Sequence, residues 1–215
     1  IYMINTVVTP MHPTKVLYRC FLQCPSSCGC IVLESGHLLF LSSSFGSMRT
    51  AAVLLHRRWA HYRHSFTPMD DRLAYLDIDT DCNALRLVCV HLPHSGYTDD
   101  LYDLALTRLE GVVLAGRRAH RLNIVGIDAN AVLGTNVRCD DEHIIGNCGM
   151  GLRNSRGHIF AAWLHGRKLA ALNTMKENTL ENLWTHELWS TGEKRQIDFV
   201  LLDEVRLDVL RDIEV

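Results

Sequence analysis

"RLNIVGIDANAVLG", residues 121–134, decides the reading of this chain. Apolar residues alternate and then run together through Val125, the pattern of a strand buried in a sheet. The run stops on a carboxylate, Asp128, and an amide, Asn130, follows two residues later. Residues two apart project to one side of an extended chain. The strand therefore ends by offering two polar side chains to one place. A carboxylate there can hold a metal or deprotonate a water, and an amide can hold the same water or a phosphate oxygen. Turn chemistry is the competing reading, because Asp and Asn are common where strands end.

Two other stretches repeat the theme. "VCVHLPHSGY" is an apolar strand that ends on His91 before Pro93 turns the chain. His91 is either a donor to a phosphate oxygen or a strand-end histidine satisfied by backbone. "KRQIDFVLL" sets Asp198 among Ile197, Phe199 and Val200. A carboxylate in such a strand is costly to bury without a histidine, a metal or a base such as Arg195 as partner.

Working outward, "AAVLLH", "LAYLDI" and "LRLVCVH" read as strands upstream, and "LLFLSSSFGS" as a short strand running into a loop. "LAALNT", "LWTH" and "QIDFVLL" are strand candidates downstream. Helical spacing of Leu101, Leu104, Ala105, Leu109, Val112 and Val113 predicts a helix over Asp99–His120, with Thr98 as N-cap. A second helix is expected over Gly157–His165, burying Ile159, Phe160, Trp163 and Leu164 and stopping at Gly166. Strands outnumber helices and interleave with them. This favours an α/β sandwich of two sheets flanked by helices.

The bulk numbers suit one domain over residues 1–215, with 47% hydrophobic and 21% charged residues. A net charge of −2 confines any nucleic-acid contact to a local basic patch. No apolar run is long enough to span a membrane, and no secretory signal is visible, so an intracellular protein, nuclear or cytoplasmic, is expected. Four of the eight cysteines crowd together at Cys20, Cys24, Cys28 and Cys30. No second pair of matching spacing accompanies them, which argues against structural zinc and for reduced thiols. His56, His61 and His64, beside Arg57 and Arg58, read as a solvated basic edge. The chain starts at Ile1 and stops within folded-looking sequence, which suggests a domain incomplete at both ends.

Taken together, "GIDAN", "VHLPH" and "RQIDFVLL" resemble motifs of the endonuclease/exonuclease/phosphatase superfamily. "GMGLRNSRGHIFAAWLHGRKLAALNT" and "LWTH" are most similar to the endonuclease domains of LINE-type (non-LTR) retrotransposons. The resemblance covers about residues 51–205. It implies a deoxyribonuclease-like four-layer sandwich and a phosphodiester hydrolase acting on DNA with Mg2+ or Mn2+. Asp128 would activate water, Asn130 would hold water or phosphate, His91 would stabilise charge on phosphate oxygens, and Asp198 would orient a histidine. Asp128, Asn130 and Glu34 are the candidate metal ligands. Arg153, Asn154, Trp184, Thr185 and Arg195 are the candidate nucleic-acid contacts, with Trp189 and Lys194 beside them. A reverse transcriptase domain in the parent protein would accompany such an endonuclease.

The departures are specific. Cys24 in "FLQC" stands where the superfamily places a metal-binding glutamate, and Asn5 is a distant match to its early asparagine. The Ser-Asp-His signature expected after "QIDFVLL" does not occur before Val215. These departures lead us to expect weak metal binding and little or no activity from the 215-residue chain. Two alternatives stay open: a phosphomonoesterase or phosphoinositide phosphatase of the same fold, and a catalytically dead remnant that binds nucleic acid.

Overall fold

A computed structural model describes residues 2–4, 29–42, 50–175, 183–188 and 190–204. Asn5, Cys20, Cys24, Cys28 and Trp189 lie outside the described residues.

Two sheets are stacked. The larger has six strands in the order β5-β6-β7-β8-β12-β9. These are β5 (Arg63–Pro68), β6 (Leu73–Asp79), β7 (Ala84–His91), β8 (Leu122–Asp128), β12 (Asp198–Asp203) and β9 (Leu169–Ala171). The smaller has the order β1-β4-β3-β2, from β1 (Tyr2–Ile4), β4 (Ala52–Leu55), β3 (Leu38–Leu41) and β2 (Gly29–Val32). A two-stranded hairpin, β10 (His186–Glu187) with β11 (Lys194–Arg195), precedes β12. Helices α1 (Asp99–Arg118) and α2 (Ser155–Arg167) complete the fold.

The period of two along each strand sorts side chains into two cores. Ala74, Leu76 and Ile78 of β6 and Leu85, Leu87 and Cys89 of β7 meet Leu38, Phe40, Val53 and Leu55 of the smaller sheet. The alternate residues, among them Val88, Val90, Val125, Ile127, Phe199 and Leu201, meet α1 and α2. Strands with an apolar layer on both sides must be apolar on both faces. This is why β7 and β8 read as nearly continuous apolar runs.

The strand expected over 122–128 and the strand "LRLVCVH" are present as β8 and β7. Both helices form, with shifted details. On α1 the buried stripe is Tyr102, Leu106, Leu109, Val112, Val113 and Gly116, while Leu101 and Leu104 face solvent. Thr98 is the N-cap residue but makes no capping bond with its side chain. On α2, Asn154 caps the N-terminus, and the helix runs through Gly166 to end on Lys168, which takes a left-handed conformation. "LAALNT" divides into β9 and a short 3-10 turn at Leu172–Thr174. "LWTH" contributes only His186 to a strand. Cys30, Cys82, Cys89, Cys139 and Cys148 carry free thiols. No helix among the described residues is long and apolar enough to cross a membrane.

Candidate active site

Strand register brings the motif residues together. β7 and β8 run parallel with His91 beside Asp128, and β12 runs antiparallel to β8 with Asp198 beside Asp128. His91 shares the parity of Leu85, Leu87 and Cys89, which face the smaller sheet. Asp128 follows Ile124 by two pleats, and Asp198 precedes Val200 and Leu202 on the same side. The three side chains therefore form one row on the inter-sheet face, at the edge where the strands end. Arg72 extends the row, since its carbonyl accepts from the His91 amide at 2.9 Å, one step beyond the Leu73–Val90 pair.

His91 Nε2 lies 3.6 Å from Asp128 Oδ2, close enough for charge coupling and too long for a hydrogen bond. Both side chains are 19% exposed, so the row is partly shielded from water. Asp128 is pushed up to about 7. Burial is the largest cause and the neighbouring Asp198 carboxylate the second, while the Asn130 amide and Arg72 oppose them. A carboxyl poised there can accept a proton near neutrality, as a general base must.

Asn130 sits in the loop after β8 with φ of 47°, a left-handed conformation that asparagine tolerates. Its amide N–H donates to Asp128 Oδ1 at 3.0 Å, and its Nδ2 donates to the Leu92 carbonyl at 2.8 Å. The side-chain oxygen accepts no hydrogen bond among the described residues and remains available to a ligand. Tyr102 of α1 pins the same loop, its hydroxyl donating to the Ala129 carbonyl at 2.9 Å. Arg156 of α2 pins the loop after β7 by donating to the Pro93 and Tyr97 carbonyls, both at 2.5 Å. Both strand-end loops are thus held by helices.

Asp198 is positioned from two sides. Thr185 Oγ1 accepts from the amides of Ile197 and Asp198 at 3.0 and 3.1 Å. Asn173 lies where β9 has ended. Its Nδ2 donates to the Asp198 carbonyl at 2.9 Å, and its Oδ1 accepts from the Val200 amide at 3.2 Å. An asparagine side chain continues the ladder that the backbone has left.

The remaining candidates divide. Trp184 lies at the base of the β10–β11 hairpin beside Thr185, with the Lys194 ammonium 4.5 Å from its ring centre. Arg195 forms a two-pronged bond to Glu193 at 2.7 and 2.8 Å, so its guanidinium is already engaged. Arg153, expected among the nucleic-acid contacts, is held within the protein. Its side chain is 5% exposed and bound to Asp140, because the loop 133–153 closes over that pair. Burial alone would raise the Asp140 carboxyl, yet hydrogen bonds from Arg153, the Val137 amide and His165 bring it down to about 2. Asn154 is likewise committed, its Oδ1 accepting from the amides of Gly157 and Val132 at 2.7 and 3.2 Å.

Glu34, expected as a metal ligand, lies apart from the row. It is exposed in the tight turn between β2 and β3. That turn sits beside Leu38 and Leu55, and His37 touches His56 at 4.6 Å between ring centres. β4 begins near the candidate site, with the Ala51 amide on the Asp71 carbonyl, and runs away from it toward this turn. Glu34 is therefore at the opposite end of the sheets from Asp128. Among the described residues no group of three or more His, Cys, Asp or Glu side chains is arranged to hold a metal ion.

Arg72 and Asn173 were not legible as site residues. "DDRL" shows only a charged residue ahead of a strand, and its importance emerges once Arg72 is in register with His91. Asn173 was hidden inside "LAALNT", where it reads as the polar end of a strand.

No protein-family model and no curated protein sequence matches the chain. Solved structures do. The endonuclease domain of TRAS1, a telomere-specific non-LTR retrotransposon, superposes with a TM-score of 0.53 at 18% identity. The match covers 79% of this chain and 68% of that domain. D. rerio TDP2 complexed with a single-strand DNA product matches with a TM-score of 0.44 at 15% identity over 78% of this chain and 62% of its own. Truncated Caenorhabditis elegans TDP2 gives 0.42 at 12% identity, over 78% and 61%. The chain has the endonuclease/exonuclease/phosphatase fold.

Proposed function

We propose that the chain is the core of a divalent-metal-dependent phosphodiester hydrolase of endonuclease type, acting on DNA and derived from a retroelement. The observation that supports this most is the in-register row His91–Asp128–Asp198 on one inter-sheet face, with Asn130 hydrogen-bonded to Asp128. The row fits phosphodiester chemistry. Asp128 takes the proton of an attacking water. His91 and Arg72 donate to the phosphate oxygens where charge accumulates. Asn130 orients the water, whose proton its side-chain oxygen can accept while its Nδ2 stays on the Leu92 carbonyl. Asp198 adds to burial in keeping Asp128 ready to take up a proton.

The donor set suits a hard cation. Two carboxylates in one register pair, one of them pushed up to about 7, create a repulsion that a bound cation relieves. Mg2+ or Mn2+ would be held by Asp128 and the Asn130 oxygen, with water and phosphate oxygens filling the shell, and would neutralise the phosphate.

The hairpin at the rim supports nucleic acid over a small phosphomonoester. Trp184 offers a face for bases and Lys194 a charge for phosphate, next to Thr185, which holds Asp198. The test is nicking of a supercoiled plasmid in Mg2+ and in EDTA, by the wild-type chain and by Asp128→Asn. Cleavage that needs Mg2+ and disappears in Asp128→Asn supports the reading. Cleavage that persists unchanged in Asp128→Asn overturns it. Hydrolysis of a phosphoinositide with no action on DNA would move the substrate to the second class.

A further inference from the structure

A second surface lies at the opposite end of the sheets from the row at Asp128. It is formed by "HRRWAHYRH", residues 56–64, which link β4 to β5. Arg63 at the start of β5 pairs with Asp79, and Asp79 with Ala84, the first residue of β7. His91 is the last residue of that strand. At ~3.3 Å per residue, about 20 Å of sheet separates this surface from the row at Asp128.

The segment is charged in one sense only. The chain carries a net charge of −2, yet residues 56–69 contain no Asp or Glu. Arg57, Arg58, His61 and Arg63 are exposed, and none of the three arginines has an acidic partner among the described residues. The nearby carboxylates are otherwise engaged: Asp79 with Arg121 at 2.8 Å, Asp77 with Arg86 at 2.7 Å, and Asp81 with the Tyr62 hydroxyl at 3.4 Å. Glu34, in the neighbouring hairpin turn, is the remaining acid close by.

Aromatic rings are interleaved with the charge. Trp59 and Tyr62 are half-buried, anchored on the inter-sheet core, with ring centres 5.9 Å apart. His61 lies against Tyr62 at 4.0 Å with the planes tilted by 39°. Anchored rings flanked by unpaired arginines match what unpaired bases and their phosphates require: flat faces for stacking and cations along a strand. A duplex would use the arginines and leave the rings idle.

We propose that residues 56–64 bind a single-stranded nucleic acid, separately from the row at Asp128. The surface does not depend on whether that row hydrolyses DNA. The test uses the full chain and a fluorescein-labelled 20-mer of oligothymidylate, with anisotropy read across a salt series. Replacing Arg57, Arg58 and Arg63 together by Ala should weaken binding at least tenfold at low salt. It should also make the plot of log affinity against log salt shallower by about 2, at ~0.7 per phosphate contact on a single strand. Photocrosslinking of a 5-iodouracil oligomer to the unaltered protein should label the peptide containing Trp59, His61 and Tyr62, a readout independent of the variant's folding. Labelling confined to residues 183–195 would overturn the proposal. So would a folded triple variant with unchanged affinity and slope. Equal binding of a blunt duplex, or equal competition by polyglutamate, would mark a general polyanion surface and overturn it as well.

Discussion

Asp128 and Asp198 face one another in a single antiparallel register pair, on adjacent strands and on the same face of the larger sheet. Two carboxylates in that relation repel when both are ionised. Asp128, pushed up to about 7 by burial and then by Asp198, carries the consequence. The usual carboxyl pKa is ~3.9, so the folded chain holds this proton more tightly than the unfolded chain does. The stability linked to that proton is fully present below about pH 4 and is lost as pH rises to 7.

Asp128→Asn removes the titration and keeps an acceptor for the Asn130 amide. In EDTA, the variant should be more stable than wild type at pH 8 by on the order of 2–4 kcal/mol. Near pH 4 the two should differ by less than about 0.5 kcal/mol. Denaturant unfolding at the two pH values measures this. Equal stability at pH 8 would mean that the carboxyl is not under strain.

Thr185 was expected to touch nucleic acid, and its hydroxyl is occupied by the amides of Ile197 and Asp198. Thr185→Ala should release both amides at a cost of about 1 kcal/mol. Amide hydrogen exchange at Ile197 and Asp198 should accelerate about fivefold, and Thr185→Ser should restore it. Protection unchanged in the alanine variant would show that β12 holds its own start.

Gly157 lies in the first turn of α2, and a Cβ there would come within 2.0 Å of the Val132 carbonyl oxygen. Backbone blocks the space, so no rotamer change relieves the clash. The contact is the one through which Asn154 and α2 grip the loop after Asn130. Gly157→Ala should destabilise the chain by about 1–3 kcal/mol or more, despite the higher helix propensity of alanine. Thermal melting decides it: a rise in melting temperature would mean that α2 is free to shift.

The legible part of the site was its backbone logic. β7, β8 and β12 are apolar on both faces, so a polar residue at their ends stood out as His91, Asp128 and Asp198. Residues whose meaning depends on register stayed hidden. Arg72 acquires a role only through the strand beside it, and Asn173 only where β9 stops. Arg153 and Asn154 have structural roles that the sequence did not show. A loop rich in Gly, Arg and Asn looks like a binding loop, yet those side chains satisfy the loop's own backbone and the buried Asp140. β5 escaped notice because no residue of "RHSFTP" is fully buried, at the edge of the sheet.

Arg72 offers a test of the proposed phosphate contact. Among the described residues its buried Nη1 has no hydrogen-bond partner, its Nη2 reaches only the Tyr97 hydroxyl at 3.5 Å, and its charge is felt at Asp128. A half-buried guanidinium with donors to spare is suited to an oxygen-rich anion, and its planar fork engages phosphate in a way that an ammonium cannot. Arg72→Ala should weaken duplex DNA binding in EDTA and lower the salt slope by about 1, the signature of one lost phosphate contact. Arg72→Lys should recover the slope but only part of the affinity, because the charge returns without the fork. Where the chain nicks plasmid, Arg72→Ala should also lower the rate by about 10²-fold or more, as expected when a donor to developing charge is removed. If Arg72→Ala binds DNA with the wild-type slope while remaining folded, the guanidinium serves the loop at Tyr97 and has no part in holding phosphate.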